Sequence, residues 1–440
     1  MLFIIPAMAI MLIALLNYKK GFMLYLLLQM VWFPDTQIAN LGGSWININF
    51  VCALYFSILF FIKKKRGYKE KVAFPFYVPM LFIALSLLMT CFTSYSGPIS
   101  EFVKACGLIM MDLFIVYIIW KTINNKKDFE FLFKGLTIIV LIACIYIFYE
   151  KITSLNPVLD YKISCTTNTF STYRDSQQWD YRGYRSYSIF DHTICACMIY
   201  ALYAGLTLNL YFKCRKYPFK LLSLVTSVLC IPAMFFTQQR TGMVLLFISA
   251  LAVVDFRKLK FWKLLIIGFC GVLIIYPFIS DNINLLLSIF SSKAAEQVSG
   301  SSVLMRFDQL DAVFRIMLNS PLTGLGENFQ RFYNGIYVER AMGYESLWFE
   351  QMAKHGLLGV FAYIVMIYYA VYKIPKRFKS KQIFFISLAY WVVYTMTSTP
   401  YFRTYFLYTV IFYFIKNSEV YLSKFEGASI TKLKQTEKIE

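Results

Sequence analysis

The sequence predicts an all-α, multi-pass integral membrane protein, and three observations carry that prediction. Of its 440 residues 59% are apolar and only 15% charged, with a mean hydropathy of +0.57, the composition of a chain that uses lipid as a solvent. The apolar residues come in runs of helical length, not in period-two alternation. The basic residues between the runs alternate in abundance from one loop to the next.

Thirteen candidate spans follow in order, near 2–16, 22–34, 46–62, 73–92, 102–120, 131–149, 188–212, 221–236, 241–254, 262–279, 346–372, 382–398 and 402–415. Several are shorter than the ~20 residues that cross a bilayer, so about 12–13 transmembrane helices are expected. The first run has no basic start and no small-residue cleavage site, and reads as a retained helix. No soluble domain stands apart from the spans. The chain is expected to be a single transmembrane domain, 1–440, with a tail from 416 to 440.

Positive charge tests this order independently, because Lys and Arg collect in cytoplasmic loops. Lys19 with Lys20, the KKKRGYKEK run from Lys63, Lys126 with Lys127, Lys213 to Lys220, Arg257 to Lys263, Lys373 to Lys381 and the tail fall in every second loop. The C-terminus is therefore expected inside. The two long loops, 150–187 and 280–345, are expected outside. The net charge of +20 then reflects topology and attraction to the membrane surface, and no nucleic-acid partner is implied.

The ten Cys and two His do not suggest staples or a metal site. Most of the Cys, such as Cys52, Cys144, Cys197 and Cys230, lie in apolar spans, where a thiol packs as a small hydrophobe. Neither thiols nor carboxylates cluster with His192 or His355, so no metal and no other cofactor is expected.

Lys and Arg are distributed differently. The inner loops hold most of the Lys but only Arg66, Arg215, Arg257 and Arg377. The other nine Arg (174, 182, 185, 240, 306, 315, 331, 340 and 403) all fall on the expected outer side. A planar guanidinium grips phosphate or carboxylate oxygens in a bidentate way that Lys cannot match, so the outer face is suited to an anion. The same arginines could instead pair with Asp160, Asp175, Asp180 and Glu327.

In the first long loop, STYRDSQQWDYRGYRSYSIFDHT is dense in Tyr, Arg and Trp. Aromatics beside polar groups suit sugar rings and equally suit a membrane-interface belt. Arg182 and Arg185 lie where a lipid phosphate would sit, with Asp191 and His192 at the helix start. The hairpin TQQRTG then holds Arg240 at the rim of the bundle with little loop to release it into water. Asp112, in the fifth span, needs a partner that the sequence does not identify.

The stretch Ser301–Gly359 is a charged, Arg-bearing segment in a sequence that is otherwise almost all membrane. A helix over about 302–319 is expected between Ser301 or Ser302 and Pro321. Val303, Phe307, Leu310, Val313, Phe314, Met317 and Leu318 form its apolar face. At about 100° per residue, Arg306 lies on the edge of that face and Arg315 points the opposite way. The two cannot reach one phosphate together. Beyond it, GYESLWFEQMAKHGLLG places Glu345 at the mouth of the next span, as a candidate catalytic carboxylate or simply a helix-start residue. Glu350 and Lys354, four apart, are expected to pair.

Three separated patches of these residues resemble the O-antigen polymerases and ligases of bacterial surface polysaccharide assembly. Arg185 to Phe190, Arg-x4-Phe ahead of a helix, looks like the family's arginine before its seventh-span region. QQRTG at Arg240 is similar to its Ser-Arg-Gly-type hairpin. Arg306, SPLTGLG and GYESLWFEQMAKHGLLG resemble its Arg, Pro-Leu-x-Gly-x-Gly and terminal Gly-Leu-x-Gly pattern, and Arg315 to Gly326 fits the polymerases' arginine-to-glycine spacing. Ligases carry a His eleven residues before the first Gly of the last motif, where this chain has Glu345, so the pattern favours a polymerase.

The resemblance implies a metal-independent glycosyltransferase in the bacterial inner membrane. It would join undecaprenyl-pyrophosphate-linked oligosaccharides of O-antigen, capsule or exopolysaccharide at the outer face. Its implied partners are the lipid-linked donor and acceptor, membrane lipid, a chain-length regulator and a flippase. Arg185, Arg240 and Arg306 are the expected pyrophosphate ligands, with Arg182, Arg315 and Arg403 behind them. Glu345 or His192 is the expected base. A ligase is the near alternative, and a lipid-linked oligosaccharide flippase the one from another class.

Overall fold

The computed structural model describes residues 4–31, 37–41, 44–63, 72–94, 97–164, 179–180, 183–190, 192–213, 220–251, 303–327, 329, 346–396 and 405–421. The chain is an all-α, multi-pass membrane protein. Helices of membrane length and apolarity are Pro98–Thr122, Lys126–Thr153 and Leu347–Phe378, accompanied by shorter apolar ones. Only two short antiparallel strand pairs interrupt the helices among the described residues, Gln37–Leu41 with Ser44–Asn47 and Trp179–Asp180 with Gly183–Tyr184.

In order, the helices are α1 (Ile4–Leu16), α2 (Tyr18–Leu28), α3 (Ile48–Lys63), α4 (Tyr77–Met89), α5 (Pro98–Leu108), α6 (Ile115–Thr122), α7 (Lys126–Thr153) and α8 (Pro157–Ser164). They continue with α9 (Thr193–Lys213), α10 (Lys220–Phe236), α11 (Arg240–Leu251), α12 (Val303–Met317), α13 (Leu347–Ile367), α14 (Ile374–Phe378), α15 (Lys381–Ser387) and α16 (Tyr405–Lys416). Wider π-helical turns join α5 to α6, α13 to α14, and extend α15 over Leu388–Val393. The expected span 262–279 lies outside the described residues.

Contacts between distant segments sort the helix ends into two groups. At one end Lys63 donates to the Ala14 carbonyl at 3.4 Å and to that of Leu15. Lys19 pairs with Asp128 at 2.5 Å. Lys416 donates to the carbonyls of Trp120 and Ile123 at 2.6 and 2.7 Å. A lysine at a helix C-terminus satisfies carbonyls that the helix cannot, and it complements the dipole there. The same three contacts bring together segments 14–20, 63, 120–128 and 416, all of which the charge pattern assigns to one side.

The other end collects the turns after α4, α7 and α10. Glu150, in the last turn of α7, bonds residues 184–188. Ser186 N bonds the carbonyl of Phe236 at the end of α10. His355 bonds Thr90, just past α4, and Ser346 bonds Thr395. The main core between the two ends is apolar and aromatic, with Phe22, Phe56, Trp120, Tyr200 and Tyr390 all fully buried.

α12 differs from its expected packing. Val313 and Met317 are buried, but so are Gln309, Ala312 and Ile316, while Phe307, Phe314 and Leu318 are exposed. The buried strip is the one that meets Leu325, Phe329 and Ala353, so the partner and not the apolar count sets the face. The expected 346–372 span is also not one straight rod. Gly356 has φ 60° and ψ −153°, which divides α13 into a first part, Leu347–His355, and a continuation from Leu357.

Candidate active site

The Arg185 segment is held by a buried carboxylate. Glu150, fully buried, accepts from the Tyr187 amide at 3.0 Å, the Ser188 amide at 2.6 Å, the Tyr184 hydroxyl at 3.1 Å and Asn156 Nδ2 at 2.9 Å. Ser188 sits in the left-handed region at φ 57°, and its hydroxyl donates to the Ala143 carbonyl at 2.7 Å. Lys151 donates to the Tyr184 carbonyl at 3.1 Å and Lys162 to that of Ile189 at 2.5 Å. Residues 184–190 are thus a strap tied down on both sides of the half-buried Arg185.

His192 follows the strap and caps α9. Its Nδ1 accepts the Ile194 amide at 3.1 Å, which fixes that nitrogen as the unprotonated one.

The hairpin to Arg240 is built against the same helix start. Gln238 takes φ 54°, Gln239 Nε2 donates to Thr193 Oγ1 at 2.8 Å, and Cys197 Sγ contacts the Gln239 carbonyl at 3.6 Å. A Cβ on Gly242 would lie 2.0 Å from Cys197 Sγ. The glycine of the Arg-Thr-Gly motif is therefore what lets α11 begin this close to α9. With Ser186 N on the Phe236 carbonyl at 3.2 Å, the Arg185 strap, His192 and the Arg240 backbone share one corner of the bundle.

A second group forms around α12 and α13. Arg306 Nη1 donates to the Met396 carbonyl at 3.2 Å, and Ser346, the N-cap of α13, donates to the Thr395 carbonyl at 3.3 Å. These carbonyls lie in the tight turn Tyr394–Met396 that follows the π-helical extension of α15, and α11, the helix opened by Arg240, packs against that extension. Arg315 pairs with Asp311 at 2.9 Å on the exposed side, away from Arg306. Glu345, Arg182 and Arg403 lie outside the described residues, as does the Arg240 side chain.

Beside α13 lies a charged cluster of which sequence spacing gave only the Glu350–Lys354 pair. Glu327 Oε2 meets Lys354 Nζ at 2.8 Å and its Oε1 meets His355 Nε2 at 3.1 Å. Lys354 also pairs with Glu350. The Glu327 amide donates to Glu101 Oε1 at 2.7 Å, and Ser94 donates to Glu101 Oε2 at 2.9 Å. Burial opposes ionisation of Glu327, yet the Lys354 ammonium and then the His355 hydrogen bond hold its carboxyl well below the usual range.

His355 is hydrogen-bonded through both ring nitrogens, Nδ1 with the Thr90 hydroxyl at 3.0 Å and Nε2 with Glu327 at 3.1 Å. The Thr90 hydroxyl also donates to the Ser86 carbonyl at 2.8 Å. The row of Thr90, His355 and Glu327 has the residue types of a nucleophilic triad. Thr90 is fully buried and its proton is already committed, so the row is a brace and not a nucleophile.

The signal for Glu150 was present but weak: a carboxylate closing a 28-residue apolar helix. Nothing local marks Glu101 or Glu327, whose partners come from other elements.

The fold and this end of it define a polytopic membrane protein with arginines braced by buried carboxylates at one rim. Residues 225–364 match the family model described as O-antigen ligase, a stretch that includes the Arg240 hairpin, α12 and the break in α13. Over that part the chain is similar to the O-antigen ligase and polymerase superfamily. With the membrane architecture, that similarity supports an enzymatic, polysaccharide-joining role acting on lipid-linked glycans in general terms. No curated protein and no solved structure matches the chain.

Proposed function

We propose that the protein is a polysaccharide polymerase that joins undecaprenyl-pyrophosphate-linked oligosaccharides at the outer face of the bacterial cytoplasmic membrane. The observation that carries this reading is the corner where the Arg185 strap bonds Phe236 at 3.2 Å beside the Arg240 hairpin. It lies at the end opposite the lysine-capped one, and positive-inside asymmetry makes the lysine end cytoplasmic.

The chemistry asks for charge stabilisation more than for a nucleophile in the protein. The acceptor hydroxyl attacks the anomeric carbon of the donor glycan, the bond from that carbon to the pyrophosphate oxygen breaks, and the lipid pyrophosphate leaves with the electron pair. Direct displacement inverts the anomeric configuration. Guanidinium groups fixed beforehand at a low-dielectric rim stabilise the departing charge without reorganising. Arg185, Arg240 and Arg306 are assigned to the pyrophosphate, with Arg182, Arg315 and Arg403 as the outlying cations. Glu345 takes the acceptor proton, and His192 is the alternative base once its Nδ1 is released from the Ile194 amide, because with Nδ1 accepting that amide the proton of the neutral ring is on Nε2.

The ligase reading keeps one specific support, the description of the matching family model. The two part on acceptor. Purified protein given only lipid-pyrophosphate-linked repeat units, with metal chelated, is expected to produce a ladder of lipid-linked oligomers that Arg306→Ala abolishes. A protein that forms no ladder but transfers the glycan to a different lipid acceptor is a ligase, and one that only moves the lipid across vesicles is a flippase.

A further inference from the structure

The break at Gly356 is filled by another part of the chain. In an uninterrupted helix the amides of Leu357 and Leu358 would bond the carbonyls of Ala353 and Lys354. Here Leu357 N bonds the Pro321 carbonyl at 2.8 Å and Leu358 N that of Leu322 at 3.0 Å. The two carbonyls left behind are taken by Leu325 N and Gly326 N, each at 3.0 Å. Two lost helical bonds are thus replaced by four bonds to residues 321–326, which satisfies backbone groups that a membrane protein cannot leave open.

The fit depends on glycine on both sides. A Cβ on Gly356 would lie 2.6 Å from the Pro321 carbonyl oxygen, and one on Gly324 would lie 2.3 Å from the Lys354 carbonyl carbon. Immediately after this inserted segment comes Glu327, bonded to the last two side chains before the break, Lys354 and His355. Immediately before it comes α12, which carries Arg306 and packs through Ala312, Val313 and Ile316 on Leu325, Phe329 and Ala353.

We infer that Glu327 and His355 are positioning residues for Arg306: the hydrogen bond between them locks residues 321–327 into the break in α13 and so holds α12 with its arginine at the rim. Neither needs to touch a substrate. The Thr90 hydroxyl fixes the far side of the imidazole, and Glu101 fixes the Glu327 backbone, so the lock is anchored to the turn between α4 and α5. This rests on the assignment of Arg306 to the donor pyrophosphate.

The test combines hydrogen exchange with a double-mutant cycle on the full-length protein in detergent or nanodiscs. In Glu327→Gln, amide exchange over 303–317 is expected to rise by about tenfold, with that of α9 and α11 unchanged. Turnover of lipid-linked repeat units is expected to fall by roughly 10- to 100-fold, the cost of a misplaced reactive group, through kcat with little change in the acceptor KM. The same substitution should cost nothing further in an Arg306→Ala background. Unchanged exchange over 303–317, or additive losses in the double variant, overturns the inference. Should Glu327→Gln fail to fold, His355→Gln, which leaves the Lys354 pair, is read the same way. A wild-type protein that makes no oligomer sinks the polymerase reading alone, and the exchange data still decide whether the pair holds the helix.

Discussion

The Ser186 amide donates to the carbonyl oxygen of Phe236 at 3.2 Å, and through that bond the strap bearing Arg185 is tied to the hairpin that ends at Arg240. Two arginines more than fifty residues apart in sequence are thereby placed by one backbone contact and by the groups behind it. Those groups are Glu150 on the strap side and Gln239 with Thr193 on the hairpin side.

Glu150→Gln is expected to loosen the strap. The carboxylate accepts two backbone amides, and an amide side chain would turn an NH2 donor toward one of them. Leaving a buried donor unsatisfied costs about 1–3 kcal/mol. The thermal midpoint should fall, and glycan transfer should fall with it because Arg185 loses its fixed place. A variant that keeps both would mean that the strap is held without the carboxylate, by Lys151, Lys162, the Ser188 hydroxyl and the Ser186 bond to Phe236.

Gly242→Ala tests the close approach of α11 to α9. Its Cβ would meet Cys197 Sγ at 2.0 Å and Met234 Cγ at 2.8 Å, and overpacking of this kind costs about 1–3 kcal/mol. Cys197→Ala in the same chain should recover much of the loss by making room. If it does not, strain in the hairpin and not the thiol contact is what excludes a side chain there.

The helices and their order were legible in the sequence because apolar runs and lysine placement are local properties. Every described span has a helix within a few residues of where hydropathy puts it. The opposite directions of Arg306 and Arg315 also follow from helical period alone. The contacts that brace the rim were not legible. Glu150 acts on residues 34 to 38 positions ahead, and Glu327 is joined to Glu101 across 226. HGLLG reads as continuous helix until residues 321–326 are seen to supply replacement bonds. The buried face of α12 includes Gln309, which periodicity assigns to water, because the partner surface selects the face.

Acid should weaken the Glu327 brace in a defined direction. Its carboxyl is held well below the usual range in the folded protein, while in the unfolded chain it returns to about 4.3. Between those values the unfolded state binds the extra proton, so stability rises with pH. The contribution is complete above about pH 4.3 and is lost as pH falls through the folded value. The surrounding charges are Lys354, Glu350, Glu101, Lys104 and His355. Melting in detergent from neutral to acid pH should show wild type ahead of Glu327→Gln at neutrality, with the gap closing below about pH 4.3. A gap that stays constant would remove ionised Glu327 from the brace.

Arg306 and Arg315 sit on one helix and separate the two meanings an arginine can have here. Arg315 pairs with Asp311 at 2.9 Å, and both side chains are more than half exposed. Such an i,i+4 pair contributes about 0.3–0.5 kcal/mol, and Arg315→Ala should leave melting and glycan transfer nearly unchanged. Arg306 instead bonds a carbonyl 90 residues away, in the turn that follows the helical segment packed against α11. Arg306→Ala should leave melting within about 1 kcal/mol of wild type, the net worth of one such bond, while transfer falls by on the order of 100-fold or more, as when a charge-stabilising donor is removed. Equal losses in both variants would point to a general need for positive charge on α12. A loss confined to Arg315→Ala would reverse the assignment and put the exposed side of the helix against the substrate.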